Sequence, residues 1–161
     1  MEKRVQDYSK DILKVIRSNT SPAVMAGRLQ DFHENDLADV LPVLTVQERC
    51  KLYRILDLNM LSDIFEYTDS DNAAEYVKEM DVKKGAAILS RMETDALVEV
   101  LQKIDKAKKK LLFELMDDDV RHDIEMIASF DEDEIGSRMT TNCIIIRENL
   151  TVKQAMNSLV E

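Results

Sequence analysis

The residues with the most chemistry to offer are the acids. Asp and Glu number 32 against 22 Lys and Arg, a net charge of −10. Such a chain is a host for cations and a poor general binder of nucleic acid or anionic lipid. Soft-metal chemistry is not indicated. Cys50 and Cys143, like His33 and His122, lie far apart, with no zinc spacing. No Ser/His/Asp, Cys/His or paired-acid set with a supporting third group emerges, so an enzyme is not expected. Three glycines and two prolines exclude a Gly-rich phosphate loop and a Pro-rich linker. Aromatic content of 5% without Trp is too low for a base-stacking surface. Lys106, Lys108, Lys109 and Lys110, with Lys103 before them, could form a phosphate or anionic-lipid patch. The favoured reading is a charged helix surface offsetting Asp117, Asp118 and Asp119. The run Asp131–Glu134 reads as a solvated helix end opening a linker.

The N-terminus has no apolar signal core. The longest uncharged stretch, Ser18–Gly27, is ten residues, whereas a membrane span needs about 20. The chain by itself is therefore expected to be soluble, and two scattered cysteines point to a reducing compartment.

The elements that must carry these acids follow from an internal repeat. In blocks of twelve from His33, the first positions are His33, Thr45, Asp57, Asp69, Asp81, Glu93, Asp105 and Asp117. Asp and Thr are favoured helix N-caps, and Thr45-Val46-Gln47-Glu48 reads as a capping box. The eighth position is apolar in all eight units, the ninth fails only at Glu125, and the twelfth fails only at Thr68. Positions eight, nine and twelve lie on one helix face. Each unit is then a helix of about eight or nine residues and a turn, too short to be stable without stacked neighbours. The seventh position carries five acids: Asp39, Asp63, Glu75, Glu99 and Asp123. Asp95 and Glu99 stand at i and i+4 and share a helix face.

Two further helices precede the repeat. One carries Val5, Tyr8, Ile12, Val15 and Ile16; the other opens at Ser21-Pro22, an N-cap followed by proline at the first helical position. Pro42 should shorten or kink the first repeat helix. The pattern changes after Phe130. Cys143–Arg147 is expected to be extended, and Thr151-Val152-Lys153-Gln154 is a second capping box opening a helix to Val160. Ile144, Ile146 and Leu159 should pack against the stack or a partner. The expected fold is all-α over 1–130, a superhelical stack of about ten short helices, followed by the truncated start of a second, α/β domain over 131–161.

The acidic helical repeat, then Asp133-Glu134-Ile135-Gly136-Ser137-Arg138-Met139-Thr140-Thr141, Ile144–Ile146 and Leu150-Thr151-Val152, resembles the MgtE family of magnesium transporters. The resemblance covers the cytosolic N domain and the start of the first CBS domain. It departs from the family where Leu58, Ser70 and Val82 replace the proline that often follows the cap acid. It implies the regulatory part of a homodimeric membrane protein, lying at the cytoplasmic face. Mg²⁺ bound between the N and CBS domains would favour a closed pore, and its loss would let them separate. Matched unit by unit, the family's magnesium-facing acids correspond to Asp63, Asp95 and Glu99. Two alternatives remain at this point: a helical-repeat interaction scaffold indifferent to metal, and a CBS-linked nucleotide sensor.

Overall fold

The helix starts are set by caps. A computed structural model describes residues 8–128 and 151–157. Two helices lead, α1 (Ser9–Ile16) and α2 (Pro22–Leu29). The repeat helices follow: α3 (Glu34–Val40), α4 (Val46–Ile55), α5 (Leu58–Glu66), α6 (Ser70–Lys78), α7 (Val82–Leu89), α8 (Thr94–Lys103), α9 (Lys106–Glu114) and α10 (Asp118–Ala128). Each begins twelve residues after the last, and none runs through a cap. The Asp57, Asp81 and Asp105 carboxylates accept the backbone N–H three residues on, at 2.9, 3.0 and 3.0 Å. Asp69 accepts from Asp71 and Asn72. Thr45 and Glu48 form the expected reciprocal box, with Thr45 N–H donating to Glu48 at 2.8 Å. His33 takes the same role through Nδ1, which accepts the Asn35 N–H at 3.1 Å. At Pro42 the helix gives way to a 3-10 turn, Leu41–Val43. A last helix, α11, spans Val152–Asn157. The expected strand at Cys143–Arg147 lies outside the described residues, as do Ile144, Ile146 and Leu159.

Burial follows the frame. All eight residues at position eight, from Val40 to Ile124, are buried. Position nine is buried from Leu41 to Leu101, and Phe113 is half-buried. Fully burying a Leu or Ile side chain contributes roughly 1.5–3 kcal/mol, so this stripe drives the stacking.

The helices pack mainly on their next-but-one neighbours. One row runs α1, α3, α5, α7, α9; α2 packs on α4, and α6, α8 and α10 pack in series. Position five faces along the row. A Cβ built on Gly85 of α7 would stand 3.3 Å from Leu112 of α9. Positions five and six are accordingly small or apolar in Leu37/Ala38, Leu61/Ser62, Ala73/Ala74 and Leu97/Val98. At the ends of the rows they become Lys109/Lys110 and Arg121/His122, the polar outer face that a terminal repeat needs for solubility.

Long side chains tie the rows together. Lys51 Nζ donates to the Ile16 carbonyl at 3.1 Å and Lys108 Nζ to Val77 at 3.0 Å, while Lys84 reaches the Tyr53 carbonyl. In α4, Arg49 stands at position five and meets Glu79, just past the end of α6, with Nε donating at 2.9 Å. Its Nη1 donates to Leu44 O at 2.6 Å, its guanidinium lies 4.6 Å from the Tyr76 ring centroid, and Tyr53 OH donates to Glu79 at 3.1 Å.

Candidate functional site

Asp63 and Glu66 occupy the last two turns of α5, and Glu93, Asp95 and Glu99 occupy the cap and first turns of α8. The two helices lie in different rows, so their acids are not brought together by the local repeat. A hydrogen bond joins them: the Glu66 carboxylate accepts the Glu93 backbone N–H at 2.7 Å. Glu93 is the N-cap of α8, but its own side chain makes no cap hydrogen bond. Glu66 thus does from α5 what Glu48 does within the Thr45 capping box: it accepts the N–H of the N-cap residue itself.

The surrounding field is negative. Burial pushes the Glu66 carboxyl above its ordinary value; the Glu93 N–H opposes this, and the carboxylates of Glu93, Asp63 and Asp95 add to the rise. Asp63 is also pushed up, by burial and then by Glu34 and Asp57. All the charged groups named in these two shifts are acids. Carboxylates held together in this way favour either a proton or a cation among them.

Asp63 and Asp95 therefore share one acidic environment around Glu66. Asp95 is exposed, and its Oδ1 accepts the Ala96 N–H at 2.9 Å. Glu99 is exposed one turn further along α8. Among the described residues, no three His, Cys, Asp or Glu side chains converge into a metal cage. The donor set is one of hard, exposed carboxylate oxygens. It fits a hydrated Mg²⁺ that keeps several waters and touches the protein through one or two carboxylates. It does not fit a dehydrated ion enclosed by this chain alone.

The role of Glu66 was not foreseen from the sequence. It stands at position ten of its unit, where Arg54, Lys78, Ser90 and Gln102 stand in others, so no pattern marks it. Among the described residues, one apolar void is lined by Ile16, Leu37, Leu52, Tyr53 and Phe65 among others, walls that offer almost no polar group with which to hold a ligand. Cys50 is a free thiol whose Sγ faces the Glu79 carbonyl at 3.7 Å. Among the described residues, no helix is long and apolar enough to cross a membrane.

Known proteins give this surface a context. The magnesium transporter MgtE of Thermus thermophilus is 27% identical over 134 residues, which cover 81% of this chain and 30% of that protein. The chain thus spans less than a third of that relative's length. The crystal structure of the soluble part of a magnesium transporter superposes with a TM-score of 0.83 at 25% identity, covering 94% of this chain and 60% of that one. The cytosolic domain of the Mg²⁺ channel MgtE, crystallised in complex with ATP, shares the fold with the same TM-score of 0.83 at 23% identity, covering 94% and 62%. The profile of the MgtE intracellular N domain matches residues 32–133, from the repeat's first cap to the acidic run after α10. With that match spanning most of the chain, and with the helical stack expected of it in place, the chain belongs to the MgtE intracellular N domain family.

Proposed function

We propose that the chain is the magnesium-sensing regulatory domain of a membrane magnesium transporter, acting at its cytoplasmic face rather than as an enzyme. The observation that carries this reading is the acidic surface where α5 and α8 meet around Glu66, in a chain of this family. Asp63, Asp95 and Glu99 are the residues assigned to the metal. Their carboxylates repel, so a second acidic surface approaches them only when a cation neutralises both. That second surface is supplied by the CBS domains of the same transporter, whose first segment begins after residue 130, and the assembly is a homodimer. Mg²⁺ holds the two surfaces together and closes the pore. Its loss lets them part. The ion can shift this equilibrium only through tighter binding to the closed arrangement. Asp63, Asp95 and Glu99 contribute charge and water-mediated contacts, and Glu66 fixes the spacing of α5 against α8.

The test is magnesium-dependent inhibition of transport in vesicles, comparing the parent transporter with the combined Asp63→Ala, Asp95→Ala and Glu99→Ala variant. The variant is expected to stay open at magnesium levels that close the parent. An unchanged inhibition curve would refute the assignment of these residues.

A further inference from the structure

His33 differs in kind from the Asp and Thr caps of the repeat. They cap with an oxygen; His33 caps with a ring nitrogen, its Nδ1 accepting the Asn35 N–H at 3.1 Å. A neutral imidazole accepts at one nitrogen only, and an imidazolium at neither. Protonation of the ring therefore removes this cap, and histidine is the side chain that takes up a proton between about pH 8 and 5. The acceptor that a protonated Nδ1 needs is already beside it. Glu34 Oε2 lies 3.7 Å from Nδ1, and Glu34 is half-buried. Among the described residues, no lysine or arginine pairs with Glu34.

The ring also stands on the border of the acidic surface. It meets the Tyr67 ring edge-on, with centroids 5.5 Å apart. Tyr67 closes α5 one turn after Asp63, and its N–H donates to the Asp63 carbonyl at 3.3 Å. After burial, Glu34 is the first charge that pushes the Asp63 carboxyl up, ahead of Asp57. On the other side Phe32, the residue before His33, packs edge-on to Tyr8 at the start of α1, centroids 5.8 Å apart. The titratable groups around the ring are thus Glu34 and Asp36 on α3, Tyr67 and Asp63 on α5, Asp31 before the cap and Tyr8 beyond Phe32. The α1 charges Lys10, Asp11 and Lys14 make no ion pair with His33 or Glu34.

We propose that His33 is a proton-operated switch at the edge of the magnesium-facing surface. Neutral, it caps α3. Charged, it releases the Asn35 N–H, turns to the Glu34 carboxylate and sets a positive charge beside Asp63. Mg²⁺ then meets a weaker negative field, so acidification loosens its hold. The proposal deepens the magnesium-sensing reading and rests on it. The size of the effect is that of one exposed charge, about threefold in affinity.

Two variants hold the switch in one position. His33→Asn keeps a cap and does not titrate; His33→Lys carries the charge and does not cap. Magnesium chloride is titrated into the parent and both variants at about pH 7.5 and about pH 5.5, and the amide shifts of Asp63, Asp95 and Glu99 are followed. Comparison within one pH cancels what the carboxylates themselves do. At the higher pH the parent is expected to match the Asn variant and to bind about threefold more tightly than the Lys variant. At the lower pH it should match the Lys variant instead. Without magnesium, the His33 ring and the Asn35 amide should titrate with one midpoint, and the amide should exchange faster below it. A ring that titrates while the Asn35 amide stays unmoved would overturn the switch. So would a parent that follows the Asn variant at both pH values. If neither the parent nor a variant binds at either pH, the magnesium-sensing reading fails and this regulation of it fails too. A magnesium-free titration of Asn35 that still follows the ring would then place the fault with the metal assignment and not with the cap.

Discussion

The Glu66 carboxylate holds the Glu93 N–H at 2.7 Å across 27 residues of sequence, and so anchors the first turn of α8 to the end of α5. Glu66→Ala removes the acceptor and leaves a half-buried N–H to find water. Loss of stability by about 1–2 kcal/mol is expected in denaturant unfolding. Glu66→Gln keeps an acceptor and removes the charge, so it should cost less. Equal losses for Ala and Gln would mean that the carboxylate charge, not the bond, is what matters.

Acidity should act on Glu48 and Glu66 in opposite directions. The Arg17 guanidinium, helped by the Thr45 N–H, holds the Glu48 carboxyl down to about 2. A depressed carboxyl adds stability that is present above its ordinary value and is lost as pH falls toward 2. Asp63 and Glu66 are raised, so their contribution is present below their ordinary values and is lost as pH rises through the folded ones. Thermal midpoints followed across pH should show Glu48→Gln flattening the acid limb. Glu66→Gln should flatten the weakly acidic region just above ordinary carboxylate values.

Relieving the acidic surface should stabilise the metal-free chain. Asp63→Asn with Asp95→Asn removes two of the carboxylates acting on Glu66. A gain of a few tenths to about 1 kcal/mol is expected without magnesium, because like charges near one another destabilise. The same variant should lose any rise in melting temperature that millimolar magnesium gives the parent. A variant as responsive to magnesium as the parent would separate these acids from the ion.

The Arg49–Glu79 pair is a stability element. Their side chains are only 11% and 14% exposed. Removing one partner strands the other, at a cost of about 3 kcal/mol. Replacing both with Met should recover much of that loss. A double-mutant cycle in urea gives the coupling, and a coupling near zero would show that the pair contributes only as separate packed side chains.

Gly27 of α2 and Gly85 of α7 should respond differently to substitution. Nothing lies within 4 Å of a Cβ built on Gly27, so Gly27→Ala should stabilise by about 0.5–1 kcal/mol. At Gly85 the added carbon meets Leu112 and Val77 at 3.3 Å. Gly85→Val should push α9 off α7 and destabilise by about 1–3 kcal/mol. Calorimetric melting of the two variants checks the contrast.

Much of the fold was legible because the repeat is written in local chemistry. Asp57, Asp69, Asp81 and Asp105 announce helix starts by residue type, and Val40, Leu52 and Ile64 announce the buried stripe by position. His33 and Glu93 were placed by the step alone, since neither type announces a cap: His33 caps through a ring nitrogen, and the Glu93 side chain makes no cap hydrogen bond. The ties that fix one row against the other were not legible. They span 31 residues at Lys108–Val77 and 35 at Lys51–Ile16, distances set by how the short helices wind, which a one-dimensional pattern does not encode. That is why Asp63, Asp95 and Glu99 could be nominated as acids, but the bond that draws α5 to α8 could not.

The alternation of rows gives the stack an arithmetic of lengths. Excising a single repeat would keep every cap in phase, yet would move each later helix into the opposite row. Where the excised repeat is α8, the Gly85 notch would face α10 instead of Leu112. Excising a pair would return each survivor to its own side. Either way, two helices that both lie downstream of the join keep their contacts, so the repacking that a change of length demands is confined to the helices that straddle the cut.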